Sequence, residues 1–372
     1  MTTVVVAGAL ANKPGNGGEA WVRMSWVEGF RSSGLDTWFV EELSPSSWGE
    51  ATAAGVEWFE QVRDRFGLDG RAILIDADTD TVLRGPTSLP EGDLLVNISG
   101  HARSRPVLAT CPRRAYVDLD PGYTQIWQLQ GADLGLDHHD SHFTVGLNVG
   151  RPGCAVPDAG LTWYAVVPPV ALDEWPTLTP VAVDRFTTVA SWRGGFGPVE
   201  HDGALYGVKA HELRRFIDLP SRVPATLEVA LDIHPGDDAD RHRLQEHGWR
   251  LVDPVEASGD PDRFRAYIQG SPAELSVAQG IYVGTRSGWF SDRTAHYLAS
   301  GRPALVQDTG VGSTLPTGEG LLTFSTIGEA VTGAREIRSR PVEHAAAARH
   351  FAEEHLDAAK VLPRFLEQAG VG

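Results

Sequence analysis

The chain has 372 residues, which at roughly 100–200 residues per domain implies two domains, each large enough for its own core. Hydrophobic residues make up 42% and charged residues 22%, while a formal net charge of −17 argues against wrapping nucleic acid or docking on an anionic membrane, since both need basic surface. Two scattered cysteines, Cys111 and Cys154, form no disulfide framework and point to a reducing, cytoplasmic setting.

The chain runs straight into a strand-like segment without a basic region and long apolar stretch, so no signal peptide is expected. No run approaches 18 apolar residues, so no membrane contact of the spanning kind is expected. Val4–Ala7 is a short apolar strand, and Asn12–Gly18 is a loop rich in Gly and Pro. Glu19 to about Ser33 is a helix with Val22, Trp26, Val27 and Phe30 on one face, closed by Gly34. Thr37–Val40 is a second strand. A helix near Ala51–Phe66 carries Trp58, Phe59, Val62 and Phe66 at helical spacing. Strands follow at Ala72–Ile75, Leu94–Ile98, Ala115–Leu119 and Phe143–Leu147, a pattern of parallel strands with crossover helices.

Val167–Pro180 holds Pro168, Pro169, Pro176 and Pro180 without a clear period and is the expected linker. The alternation then restarts with a strand at Phe186–Ala190, a glycine-rich loop at Ser191–Gly203 and a helix near Ala204–Phe216. Leu227–Ile233 is a strand, Ala239–His247 a helix, and Arg250–Val252 and Phe264–Ile268 are short apolar segments. Pro272–Ala278 predicts a helical turn or two, Ile281–Val283 a strand, Asp292–Ser300 a helix closed by Gly301, and Pro303–Val306 a strand. The tail from about Val342 to Gln368 is helical, interrupted at Pro363. The expected fold class is α/β, with two Rossmann-like domains facing a central cleft. Residues 1–170 form the first and 181–345 the second, while 346–372 pack back toward the first.

In open α/β sheets ligands bind at the carboxyl ends of the strands. That rule selects five loops. In Lys13-Pro14-Gly15-Asn16-Gly17-Gly18-Glu19 the glycines permit close backbone approach and the helix start favours an anion. Glu19 is either a general base or a carboxylate serving the helix dipole. Asn97-Ile98-Ser99-Gly100-His101 offers a histidine for proton transfer, or a surface residue. Asp118 and Asp120 project the same way along an extended chain and as a pair suit binding hydroxyls or abstracting a proton, while Asp-Pro-Gly as a plain turn accounts for Asp120 better than for Asp118. The nearby His138-His139-Asp140 and His142 are adjacent loop residues with poor coordination geometry, and no metal is expected. Ser191-Trp192-Arg193-Gly194-Gly195, with Lys209 further on, offers cations for a diphosphate in an otherwise acidic chain. Gly284–Arg293 links a strand to a helix, where Ser291 and Asp292 suit ribose hydroxyls and Arg293 suits phosphate, the plainer alternative being an ordinary turn capped by Ser291.

The order of residues from Ser287-Gly288-Trp289-Phe290-Ser291-Asp292-Arg293 through Tyr297-Leu298-Ala299-Ser300-Gly301-Arg302-Pro303 resembles the nucleotide-binding βαβ unit of GT-B glycosyltransferases (the family 1/4-like C-terminal domain). Gln307-Asp308-Thr309-Gly310 and Leu315-Pro316-Thr317-Gly318-Glu319-Gly320-Leu321-Leu322 continue the likeness. It is strong over Ala266–Phe324, moderate over Phe186–Arg215, and in the first half rests on the Gly15–Gly18 loop alone. Gly-Trp-Phe-Ser-Asp-Arg stands where the commonest retaining members carry Glu-Gly-Phe-Gly, so the ribose contact and the stereochemical outcome are left open.

The resemblance implies GT-B architecture and transfer of a sugar from a UDP-, dTDP- or GDP-linked donor to a small-molecule or glycan acceptor. It implies no cofactor beyond that co-substrate and no obligatory metal. Gly17, Gly18, Arg193, Lys209, Ser291, Asp292 and Arg293 are the implied donor contacts, with Gln269, Gly270, Ser271 and Glu274 beside the nucleobase. In an inverting enzyme the base comes from the first domain, with Glu19, Asp118 and His101 the candidates in that order. A sugar-nucleotide epimerase or hydrolase, or a non-catalytic nucleotide-sugar binding protein, shares these features. A dinucleotide oxidoreductase lacks its glycine fingerprint here.

Overall fold

The computed structural model describes residues 2–371. Its first sheet contains β1 (Thr3–Ala7), β2 (Asp36–Leu43), β3 (Ala72–Asp76), β4 (Thr81–Arg84), β5 (Leu94–Ile98), β6 (Arg113–Asp118), β7 (Ser141–Thr144) and β8 (Trp163–Ala165). The order is β4-β3-β2-β1-β5-β6-β7-β8. Only β4 is antiparallel to its neighbour. Val4, Val5 and Val6 are fully buried, as expected of a central strand covered on both faces.

A second sheet contains β9 (Arg185–Ser191), β12 (Thr226–Asp232), β13 (Arg250–Val252), β14 (Glu274–Ser276), β15 (Ala304–Gln307) and β16 (Leu321–Phe324), in the order β13-β12-β9-β14-β15-β16, while β10 (Val199–His201) and β11 (Ala204–Tyr206) form a separate hairpin. Every pairing in this six-stranded sheet is parallel. In each sheet the chain reverses its direction of travel across the sheet once, beside β1 in the first and beside β9 in the second. Such switch points are where α/β sheets receive ligands.

The α/β class is therefore as read from the sequence, with three local corrections. The helix expected from Ala204 begins only at Lys209, because Val199–Tyr206 is a hairpin around Asp202-Gly203. Both turn residues have positive φ (49° and 74°), the geometry that Asp-Gly favours in two-residue hairpins. The strand expected at Ile281–Val283 is a helical turn, Gly280–Gly284, and the strand of that unit lies earlier, at Glu274–Ser276. Three strand residues are too few to display a period of two. Pro363 lies inside the last helix, Ala358–Gln368, and the break falls at Leu356–Asp357 instead. There Val170 of the connecting segment donates to Leu356 O (2.8 Å) and accepts from Ala358 N (3.0 Å).

The helix Gly17–Ser32 joins the two halves. Trp21 donates from its indole nitrogen to Pro261 O at 2.8 Å, and Trp175 stacks on His296 at 4.2 Å. The last helix returns to the first sheet, where Phe365 packs on Phe143 (4.2 Å) and Trp26 (5.0 Å).

Candidate active site

The carboxyl ends of the central strands face one another across the boundary between the two lobes. After β1, the loop is fastened from below by Glu41 of β2, whose carboxylate accepts from the backbone of Leu10 (2.7 Å), Ala11 (2.9 Å) and Asn12 (3.3 Å). Asn16 then caps the helix by accepting from Glu19 N at 3.0 Å. Glu19 in that first turn pairs with Lys13 at 3.4 Å and with Arg23, one turn on. Partial burial raises its pKa, but the charges of Arg23 and Lys13 outweigh it and hold the carboxyl at about 2. A carboxylate held this way is a weak base, so Glu19 orders the cations rather than taking a proton.

After β5, Ser99 and Gly100 take positive φ (56° and 67°) and turn His101 toward the same loop. Burial, then the charges of Arg23 and Lys13, lower its pKa to about 3, against the opposing pull of Glu19. His101 is thus a neutral imidazole, suited to hydrogen bonding with a hydroxyl rather than to basic catalysis.

After β6, the two aspartates exchange the parts expected of them. Asp118 is buried with every lone-pair direction used: it accepts from Thr124 Oγ1 (2.6 Å), Gln125 Nε2 (2.9 Å), Thr144 Oγ1 (2.7 Å) and Asp120 N (2.9 Å). It shapes the loop and has no room for a substrate. Asp120 is the half-buried member that faces the other lobe, accepting from the Tyr282 hydroxyl at 2.6 Å. Burial raises Asp120 to about 6, the Tyr282 bond opposing and the charges of Asp118 and Glu19 adding to the rise.

From the second lobe, Lys209 approaches the same region. Burial and the neighbouring Arg293 charge lower its pKa to about 7, against the attraction of Glu274, Asp292 and Asp120. Arg293 lies behind it and is fixed by Glu274 Oε1 (2.8 Å), Val189 O (2.8 Å) and Ser276 Oγ. With those bonds made, Arg293 acts as a fixed positive charge under Lys209 rather than as a free phosphate hand. Asp292 begins the helix Asp292–Ala299. Burial and the Glu19 charge raise it to about 6, with Arg293 and Arg23 opposing. Ser291 precedes it as a buried cap residue whose hydroxyl makes no capping bond, and it lines a small cavity with Trp289, Thr294 and Gln307.

Several expected donor contacts lie elsewhere. Arg193 is 64% exposed and holds Asp237 with two bonds of 2.7 Å, on the surface of the second lobe. Gln269, Gly270 and Ser271 lie at the amino end of β14, the opposite edge from the cleft. There Gln269 O accepts from Arg302 (2.8 Å) and Ser271 donates to Tyr267 O (2.6 Å). Glu274 accepts from Arg293 through Oε1, while its buried Oε2 has no hydrogen-bond partner among the described residues. Gly17 and Gly18 serve close packing between lobes: a Cβ on Gly17 would stand 2.1 Å from Asp260 O, and one on Gly18 3.0 Å from the Phe264 ring. His139 and His142 bond to the backbone of Gly135 and Leu136 at 2.8 Å. Among the described residues no group of three or more His, Cys, Asp or Glu side chains is arranged to hold a metal ion. Among the same residues no helix is long and apolar enough to cross a membrane.

The lobes are stitched beside this cleft by Asn148. Its amide donates to Arg286 O (3.1 Å) and Gly310 O (2.9 Å), and its oxygen accepts from Ser313 (2.8 Å) and Thr314 (3.0 Å).

No family model and no curated protein matches the sequence. Solved structures do match over essentially the whole chain. An alpha-glucosyltransferase in complex with UDP and a 13-mer DNA aligns at TM-score 0.59 and 10% identity, covering 100% of both chains. Anabaena HepE in complex with UDP and glucose aligns at 0.54 and 10%, again over 100% of both. AviGT4, a glycosyltransferase involved in avilamycin A biosynthesis, aligns at 0.55 and 10%, over 100% of this chain and 97% of that one. The chain has the GT-B fold. In GT-B terms, Lys13, Glu19, Arg23, His101 and Asp120 come from the first lobe, and Tyr282, Lys209, Asp292 and Arg293 from the second. Of these, the sequence alone singles out no role for Lys13, Arg23 or Tyr282, and it favours a plain turn for Asp120. Arg23 carried a legible signal, an arginine four residues after Glu19 on an otherwise apolar helix face.

Proposed function

We propose that this chain is a glycosyltransferase, moving a sugar from a nucleoside-diphosphate donor to a hydroxyl on a small molecule or glycan. The observation that carries the reading is one cleft of a GT-B fold holding a poised cation, Lys209, from one lobe and a carboxylate near neutrality, Asp120, from the other. Lys209, backed by Arg293, supplies positive charge where a diphosphate leaves. Asp120, with a pKa of about 6, is matched to accept a proton near neutral pH. In the step, the acceptor oxygen bonds to the anomeric carbon as the bond from that carbon to the diphosphate oxygen breaks. The electron pair stays on the nucleoside diphosphate, and the acceptor proton goes to Asp120. UDP and glucose in the structures of similar fold support this donor class. A net charge of −17 favours a small acceptor over a DNA duplex.

The test is a thermal-shift panel of UDP, dTDP, GDP and ADP, since a ligand that binds only the folded state stabilises it. One nucleotide raises the Tm of the wild type, Lys209→Ala loses the shift, and Arg193→Ala keeps it. No stabilisation by any of the four overturns the reading. Donor consumption without an acceptor, measured by nucleotide release from the matching nucleotide sugar, would assign a hydrolase or epimerase on the same site.

A further inference from the structure

The glycine-rich loop after β9 crosses from the second lobe and lays Phe196 on the first. Its ring sits 5.0 Å from Tyr123 and, edge-on, 4.8 Å from Trp127. Tyr123 and Trp127 are themselves 5.2 Å apart, so together they form a notch that already accepts an aromatic ring. Phe196 is held lightly: it stays 37% exposed, and Gly194, Gly195 and Gly197 flank it. Beneath it, Tyr123 is completely buried, and its hydroxyl has no hydrogen-bond partner among the described residues. Buried hydroxyls are nearly always bonded, and a phenylalanine would fill this apolar cluster without the cost of an orphan donor. The Tyr123 ring lies 6.2 Å from Tyr282, whose hydroxyl donates to Asp120. The charge of Asp120 also reaches the Tyr123 hydroxyl.

We infer that the notch of Tyr123 and Trp127 is the acceptor site, that it takes a hydroxyl-bearing aromatic group in exchange for Phe196, and that the orphan Tyr123 hydroxyl bonds the acceptor hydroxyl beside Asp120. This rests on the glycosyltransferase reading and adds the acceptor class to it. The occupant is aromatic because the notch receives an aromatic ring from its own chain. It bears a hydroxyl because the buried Tyr123 hydroxyl, set in an apolar cluster within reach of the Asp120 charge, has no partner of its own among the described residues. Phe196 is then a plug on a glycine hinge, and Tyr123 is a specificity-determining residue.

The probes are 7-hydroxycoumarin and coumarin, which differ by the hydroxyl alone, titrated calorimetrically with and without UDP. The wild type binds the hydroxylated probe better. Phe196→Ala, a change on an exposed loop that leaves folding intact, binds both probes several-fold more tightly because nothing has to be displaced. Trp127→Ala binds both about tenfold more weakly, the scale of one lost aromatic pair. Tyr123→Phe keeps coumarin affinity and loses the preference for 7-hydroxycoumarin. The inference is overturned if Phe196→Ala binds no better than wild type, if Tyr123→Phe retains the preference, or if neither probe binds. UDP binding with no probe binding sinks the acceptor site alone. Probe binding without any nucleotide binding sinks the glycosyltransferase reading instead.

Discussion

The hydroxyl of Tyr282 donates to Asp120 at 2.6 Å across the boundary between the lobes, so a side chain of one half of the cleft bears on the protonation of the other. A hydrogen bond to a carboxylate favours its charged form, so this one lowers a pKa that burial alone would push higher. Tyr282→Phe removes the donor, and Asp120 then titrates above its present value of about 6. The acidic limb of the kcat/KM profile should move to higher pH, with activity at pH 6 falling more than activity at pH 8. Stability should fall by about 1–2 kcal/mol, the usual cost of one partly buried bond. An acidic limb that stays in place under this substitution would rule out Asp120 as the base.

Lys209 makes donor binding dependent on pH in the opposite sense. In the free protein it loses its proton near pH 7, whereas an anionic diphosphate favours the charged form. Affinity for a nucleotide sugar, whose diphosphate diester does not itself titrate there, should therefore weaken as pH rises above 7, by up to about tenfold per unit. Calorimetry at pH 8 in buffers of different ionisation enthalpy should register proton uptake on binding. Lys209→Arg keeps the charge and should flatten the pH dependence. Persistence of the full dependence in that variant would place its origin in another group.

The Arg293–Glu274 pair anchors the cation that backs Lys209, and two substitutions measure what the pairing contributes to stability. Glu274 is fully buried and bonds Arg293 at 2.8 Å. Arg293→Met leaves a buried carboxylate unpaired and should cost about 3–5 kcal/mol in chemical denaturation. Adding Glu274→Gln to that variant removes the stranded charge and should recover a large part of the loss. Failure of the double variant to recover would mean that Arg293 stabilises through its bonds to Val189 and Ser276 instead.

The layered α/β pattern was legible because apolar strands buried on both faces, such as Val4–Ala7 and Leu94–Ile98, stand out in any sequence. The cleft was half legible for the same reason: strand ends point at loops but do not say which side chain in a loop is already satisfied. Asp118 and Asp120 differ by two residues and are equivalent along an extended chain, yet Thr124, Gln125 and Thr144 converge on one alone. Arg193 looked available because its partner, Asp237, is 44 residues away. Gln269–Ser271 is placed beside the nucleobase by the family resemblance alone, and the residues themselves do not show that they precede a strand, Glu274–Ser276, whose far end faces the cleft. Tyr282 was hidden inside the apolar Gly280–Gly284 segment, where a buried phenol reads as core until its partner in the other lobe is known.

The glycines of the first loop supply the last prediction, since their close packing against the second lobe offers a role besides the phosphate cradle that their sequence suggests. A side chain on Gly17 would meet backbone, the carbonyl of Asp260 at 2.1 Å and the nitrogen of Pro261 at 2.8 Å, and neither can rotate away. On Gly18 the tightest contact would be the edge of the Phe264 ring at 3.0 Å, which a small tilt relieves, with Asn16 Oδ1 at an ordinary 3.5 Å. Gly17→Ala should therefore push the helix Gly17–Ser32 off its neighbour in the second lobe, costing on the order of 1–3 kcal/mol and disturbing the bond from Trp21 to Pro261. Gly18→Ala should cost clearly less. If these glycines instead held the donor diphosphate, both substitutions would weaken nucleotide binding at unchanged stability. Denaturation midpoints and nucleotide affinities measured side by side on the two variants separate the packing role from the binding role.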